Sequence, residues 1–185
     1  RWSHAMVKYG AKSVLGIDYS QECLDAAEKY LKNTNEKEKI TLLNKDIYTI
    51  SEDMHEKFDF VCSTGVVHHL PDPEGGIKKM AYCTKPGGKA FLFVFSKNNT
   101  PWWNTIELMR RVMKDIPIYY SNLILKNYES KGSQIFNILD YSYTPIQYKL
   151  EIDWVEKTCK EAGFKNISSD FDIALDNFVN RQQDD

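Results

Sequence analysis

SVLGIDYSQE, residues 13–22, runs through five small or apolar positions and then stops on an acid. So short a run is expected to be a buried strand, SVLGI (13–17), followed by a helix that Ser20 caps. Asp18 then stands at the carboxyl end of the strand, where open α/β sheets bind their ligands. A carboxylate there can accept both hydroxyls of a nucleoside ribose. It can equally be a helix-start acid favoured by the helix dipole. Asp18 alone leaves the two readings level.

Outward from this stretch, helices and strands alternate. Trp2, Ala5, Met6 and Tyr9 recur at helical spacing, and Gly10 is placed to end that helix. The helix after Ser20 carries Cys23, Leu24, Ala27, Tyr30 and Leu31 on its apolar side. ITLL (40–43) reads as a second strand with Asp46 beyond its carboxyl end, and FDFVCS (58–63) as a third. Asp72 and Pro73 start a helix with Ile77, Met80 and Ala81 inward, and KPGG (85–88) stops it. KAFLFVF (89–95) is almost continuously apolar, the pattern of a strand covered on both faces. Such alternation implies an α/β fold, a mostly parallel sheet with right-handed crossovers.

Residues 100–145 interrupt the alternation. TPWWNTIELMRRVMKDI is expected to be helical, with Thr100 as cap, Pro101 first, and a stripe of Trp102, Ile106, Met109 and Met113. YYSNLILKNY is a second helical segment, followed by an aromatic loop, LDYSYTPIQY. From Asp153 a capping box with Glu156 starts a last helix that Gly163 ends. KNISSDFDI and the stretch around NFVNRQ read as closing strands, an antiparallel pair.

The chain has 185 residues, the size of one domain, and 42% of them are hydrophobic. Its net charge of −2 shows no basic stripe, which disfavours nucleic acid as a partner. The four cysteines stand far apart without ligand spacing, so no metal site is expected and reduced thiols in a cytoplasmic protein are the better reading. No apolar run reaches membrane-spanning length, and the first residues do not read as a signal peptide. His4 and His55 are expected at the surface.

GIDYSQECLDAAEKYL, NKDI, FDFVCSTGVVHHLPDP and KPGGKAFLFVFS, in that order, resemble the class I S-adenosylmethionine (SAM)-dependent methyltransferases, in particular small-molecule enzymes with a VLHHLPDP-type motif. The resemblance implies a Rossmann-like, doubly wound sheet and SAM as cofactor. By position it implies that Asp18 holds the ribose hydroxyls, Tyr19 lies along the adenine, Asp46 accepts from the adenine amino group and Ile47 packs on the ring. Ser63 and Thr64 would pass beside the methionine portion. The family's glycine-rich loop is absent, and Gly10 and Gly16 do not replace it. The resemblance therefore implies an N-terminally truncated, partial domain (1–185), without its central first strand, that binds SAM poorly by itself.

The sulfonium makes the methyl electrophilic, so the protein mainly supplies alignment, and a base only where the acceptor must lose a proton. His69, and after it His68, stand where such a base would be; the plainer reading makes both shape-filling members of a turn. The aromatic segment at 100–145 is either a lid over a small-molecule acceptor or a satellite core, the second being expected for Trp102 and Tyr119. Asp140 and Tyr141, in the loop before a proline, are the substrate-contact candidates. A non-catalytic SAM-binding or partner subunit of the same fold is the alternative function. A nicotinamide-dependent Rossmann enzyme is disfavoured by Asp46 and by VVHHLPDP.

Overall fold

The computed structural model describes residues 2–97, 100–128 and 132–169. They form two compact units that divide between Phe93 and Val94.

The first unit opens with helix α1 (Trp2–Lys8), strand β1 (Val14–Asp18), helix α2 (Gln21–Leu31) and strand β2 (Ile40–Asn44). It continues through β3 (Phe58–Thr64), α3 (Pro73–Cys83) and β4 (Thr84–Phe93). Ser20 caps α2 as expected: its hydroxyl accepts from the Cys23 N–H at 3.2 Å, and Leu24 and Leu31 face inward. Asp72 caps α3 by accepting from the Gly75 N–H at 3.0 Å, with Pro73 first in the helix and Ile77, Met80 and Cys83 buried.

Among the described residues all strand pairing is parallel, β1 with β2 and β3 with β4, in two separate two-stranded sheets. Each strand thus keeps one unpaired edge among the described residues. The strands are consequently only part-covered, and Phe60 and Phe91 are about half exposed. Coverage of KAFLFVF on both faces is therefore not realised at Phe91. Nor does KPGG stop α3. The strand already begins at Thr84, whose hydroxyl closes the helix by donating to the Met80 carbonyl at 2.7 Å. Gly87, at φ +77°, accommodates the irregular register between Phe58 and Phe60.

On α1 the buried face is His4 and Val7, while Trp2 and Tyr9 point outward, the reverse of the spacing expected for them. The reason is polar. His4 Nε2 meets Glu36 Oε2 at 3.0 Å and Nδ1 meets the Tyr30 hydroxyl at 3.1 Å, so the ring is satisfied and can be buried. His4 is therefore not the surface residue expected; His55 is.

The second unit contains α4 (Pro101–Met113), α5 (Ile118–Asn127), α6 (Gly132–Tyr143) and α7 (Ile152–Glu161). Thr100 caps α4 and Ile106 is its buried centre. Trp102 and Tyr119 are 52% and 67% exposed, and the Trp102 ring meets that of Tyr141 edge-on at 6.3 Å between centroids. The first half of the expected aromatic loop, residues 139–143, is instead the end of α6, which places Asp140 and Tyr141 on a helix, while residues 144–148 are irregular as expected. Arg110 makes that end possible: its guanidinium donates to the carbonyls of Tyr141 at 2.7 Å and Thr144 at 2.9 Å, groups a helix terminus leaves unpaired. The capping box at α7 does not form. Glu151 is the N-cap without a side-chain bond, and Glu156 accepts from Ser169 instead. Gly163, at φ +104°, ends α7 as expected. Residues 165–169 are irregular, and the rest of the expected closing strands lies outside the described residues.

Ile77 is fully buried whereas Tyr9 is 93% exposed. Ile77→Ala is expected to lower stability by about 2–5 kcal/mol in urea unfolding, and Tyr9→Ala to stay within about 0.5 kcal/mol.

Candidate functional site

The parallel register sets Asp18 opposite Asn44, so the segments leaving β1 and β2 emerge at the same end of the sheet. Asp18 Oδ1 accepts from the Ser20 N–H at 2.9 Å, which shapes the turn into α2. The helix-start role is thus real, and it occupies one carboxylate oxygen. Asp18 is exposed, and Oδ2 has no hydrogen-bond partner among the described residues. Asn44 holds the neighbouring backbone, its amide donating to the Tyr19 carbonyl at 2.9 Å. The Tyr19 ring is 79% exposed.

Asp46 lies two residues beyond β2 and caps the short 3₁₀ turn Ile47–Thr49, accepting from the Tyr48 N–H at 2.8 Å. Ile47 is half-buried. Tyr48, which the sequence reading passed over, joins this corner to the start of α3. Its hydroxyl donates to the Asp72 carbonyl at 2.8 Å and accepts from the Asp72 N–H at 3.0 Å. Only its aromatic character beside Asp46 and Ile47 could have drawn attention to it.

At the tip of β3, Ser63 is 8% exposed and its buried hydroxyl has no hydrogen-bond partner among the described residues. A buried hydroxyl without a partner costs on the order of 1–3 kcal/mol. Thr64 Oγ1 lies 3.3 Å from Cys62 Sγ. Gly65 follows at φ +74°, a conformation that side chains strain to adopt, and turns the chain toward the short 3₁₀ turn Val67–His69. His68 and His69 pack ring on ring with centroids 4.1 Å apart. His68 is fully buried, and burial, with a smaller contribution from His69, lowers its pKa to about 3. So weak a base fits a packing role, whereas His69 remains half-buried.

The first unit therefore brings Asp18, Tyr19, Asp46 and Ile47 to neighbouring strand tips, with Ser63, Thr64, His68 and His69 at and beyond the tip of β3. Asp140 and Tyr141 belong to the second unit. There the Tyr141 ring packs within a cluster of Phe95, Trp102 and Trp103, at centroid distances of 5.5, 6.3 and 6.0 Å. Burial raises the pKa of its phenol, and Asp140 adds to the shift. Asp140 itself accepts from the Thr144 hydroxyl through its backbone carbonyl at 2.6 Å and through Oδ1 at 3.2 Å.

As a receptacle for an adenosyl group these features fit: an open carboxylate oxygen, an exposed aromatic face and an unsatisfied buried hydroxyl. Among the described residues no group of three or more His, Cys, Asp or Glu side chains could hold a metal ion.

Residues 1–92 match the family model described as a methyltransferase domain. Among curated proteins, the chain is 26% identical over 158 residues to a ubiquinone biosynthesis O-methyltransferase of Coxiella burnetii (strain Dugway 5J108-111), covering 81% of this chain and 66% of the relative. A protein of the same description from Idiomarina loihiensis is 29% identical over 115 residues, covering 62% of this chain and 46% of the relative. The chain thus spans 66% of the length of the Coxiella relative. Among solved structures it resembles a Haemonchus contortus phosphoethanolamine N-methyltransferase 2 in complex with S-adenosyl-L-methionine. The TM-score is 0.60 at 17% identity, covering 98% of this chain and 35% of that one. At that identity the likeness shows the fold.

The buried His68 supplies a pH test. Its pKa is about 3 in the fold against 6.5 ordinarily, so between those values the unfolded chain binds a proton that the folded chain refuses. Its contribution is fully present above pH 6.5 and is lost as pH falls. From pH 7 to 5 the wild type should lose about 2 kcal/mol more stability than His68→Phe. Urea titrations at the two pH values measure the difference, and parallel losses would contradict it.

Proposed function

We propose, because residues 1–92 match the family model described as a methyltransferase domain, that the whole protein transfers a methyl group from SAM to a small-molecule acceptor in the cytoplasm. The observation that carries this reading is the placement of Asp18 and Asp46 at the same end of two parallel neighbouring strands. When bound, SAM supplies an electrophilic methyl on a sulfonium.

The chain's own residues bind and orient. Asp18, with Oδ1 committed to the turn, receives ribose hydroxyls on Oδ2. Tyr19 covers the adenine, Asp46 accepts from its amino group and Ile47 packs on its ring. The Ser63 hydroxyl, buried and without a hydrogen-bond partner, serves the methionine portion together with Thr64. Asp140 and Tyr141 contact the acceptor. The names of the curated relatives favour a hydroxyl acceptor. Such a group must shed its proton, and His69 is the base assigned to take it, because His68 is too weak.

The unpaired edges of β1 and β3 and the half-exposed Phe60 and Phe91 support one further element, a parallel strand that pairs between the two half-sheets in the intact protein.

Asp18→Ala in the intact protein should weaken SAM binding, measured by calorimetry, by roughly 10-fold or more, as expected for loss of hydrogen bonds to a charged group; unchanged affinity would overturn the cofactor assignment. His69→Ala should lower kcat by roughly 10²–10⁴-fold while SAM affinity stays within about twofold. Equal losses of turnover and affinity would assign His69 to packing.

A further inference from the structure

Helix α5 is apolar on the wrong side. Its inner face docks on α6, with Ser121 buried and its hydroxyl 2.7 Å from that of Tyr143. The opposite face should be polar in a helix that ends at water. Instead Tyr119, Tyr120, Leu123 and Ile124 are 67%, 56%, 45% and 53% exposed. Tyr119, Leu123 and Lys126 follow one another at i, i+4 and i+7, one line along the helix. Just before α5, Leu108, Val112 and Ile116 are also exposed.

The charge around this apolar stripe is one-sided. No acid occurs within Ile118–Asn127, Lys126 lies on the stripe itself, and Arg111 and Lys114 are exposed at the end of α4, a few residues before α5 in the chain. Asp115 is the one acid in the turn between the two helices. This local excess of positive charge stands in a chain whose net charge is −2.

We propose that the outer face of α5 is a peripheral docking surface for an anionic lipid bilayer. An apolar stripe with tyrosines at its margin and cations along its rim is the arrangement of a helix lying in the headgroup region. Tyrosine suits that depth because its ring is apolar and its hydroxyl can stay wet. A second copy of the chain fits the face less well, since two such faces would bring Lys126, Arg111 and Lys114 against their like. Docking is superficial: no described helix is long and apolar enough to cross a membrane. The proposal is independent of the methyl-transfer reading.

The test is co-sedimentation of the protein with phosphatidylcholine vesicles containing 30% phosphatidylglycerol, beside pure phosphatidylcholine vesicles. Binding should be at least about fivefold stronger to the anionic vesicles and should weaken in high salt. Leu123→Asp should reduce it, and Lys126→Glu should reduce it by about fivefold or more. Both positions are exposed, and unchanged circular dichroism verifies folding. Failure of the wild type to bind, or binding that neither variant alters, would overturn the proposal. So would a concentration-dependent dimer, abolished by Leu123→Asp, in the absence of vesicle binding.

Discussion

The parallel pairing of β1 with β2 is the constraint on which the rest depends. Strands that run the same way release their chains at the same end, so Asp18 and the Asp46 corner emerge together. An antiparallel pair would have sent one acid to the opposite end of the sheet. The connection through α2 enforces the parallel direction, because a crossover helix must return the chain to the start of the next strand. The turn into that helix is fixed by Asp18 and Ser20, each accepting a backbone N–H. One carboxylate thereby builds the corner with one oxygen, and its other oxygen has no hydrogen-bond partner among the described residues.

Among the described residues the two half-sheets share no ladder, so the loops at their carboxyl ends are linked by other means. The double hydrogen bond between the Tyr48 hydroxyl and the Asp72 backbone links the corner after β2 to the start of α3. It connects the Asp46–Ile47 corner with the chain that follows the turn carrying His68 and His69. Hydrogen bonds of this kind contribute about 0.5–1.5 kcal/mol each, modest against the burial of Ile77 and Met80 in the same helix. Their value is positional. A hydroxyl that both donates and accepts fixes the spacing between two loops that no strand pairing defines.

Much of this was legible in the sequence, for physical reasons. Ser20, Asp72–Pro73 and Thr100 mark helix starts because the groups they satisfy lie within three residues. The strands of the first unit show as short apolar runs ending in turn residues. What escaped reading depended on partners far along the chain. His4 is buried because Glu36 and Tyr30, distant in sequence, satisfy its ring. LDYSYTPIQY begins as helix because Arg110 binds the carbonyls at its end. The Asp153–Glu156 pattern is a local signal that lost, since the helix begins two residues earlier, with Glu151 rather than Asp153 as its N-cap. KPGG lay where a helix stop was expected, yet Thr84 had already ended the helix. At the site, Asp18, Asp46 and Ser63 could be picked out by their place after a strand, whereas the partnerless hydroxyl of Ser63 is visible only in three dimensions.

The central claim is that an adenosyl group lies across the tips of β1 and β2. Photolabelling of the intact protein with 8-azido-S-adenosylmethionine, followed by mass-spectrometric mapping, tests this most directly. The account predicts label in the peptides carrying residues 18–22 or 46–50, displaced by unlabelled SAM. Displaceable label confined to any other part of the chain would contradict it.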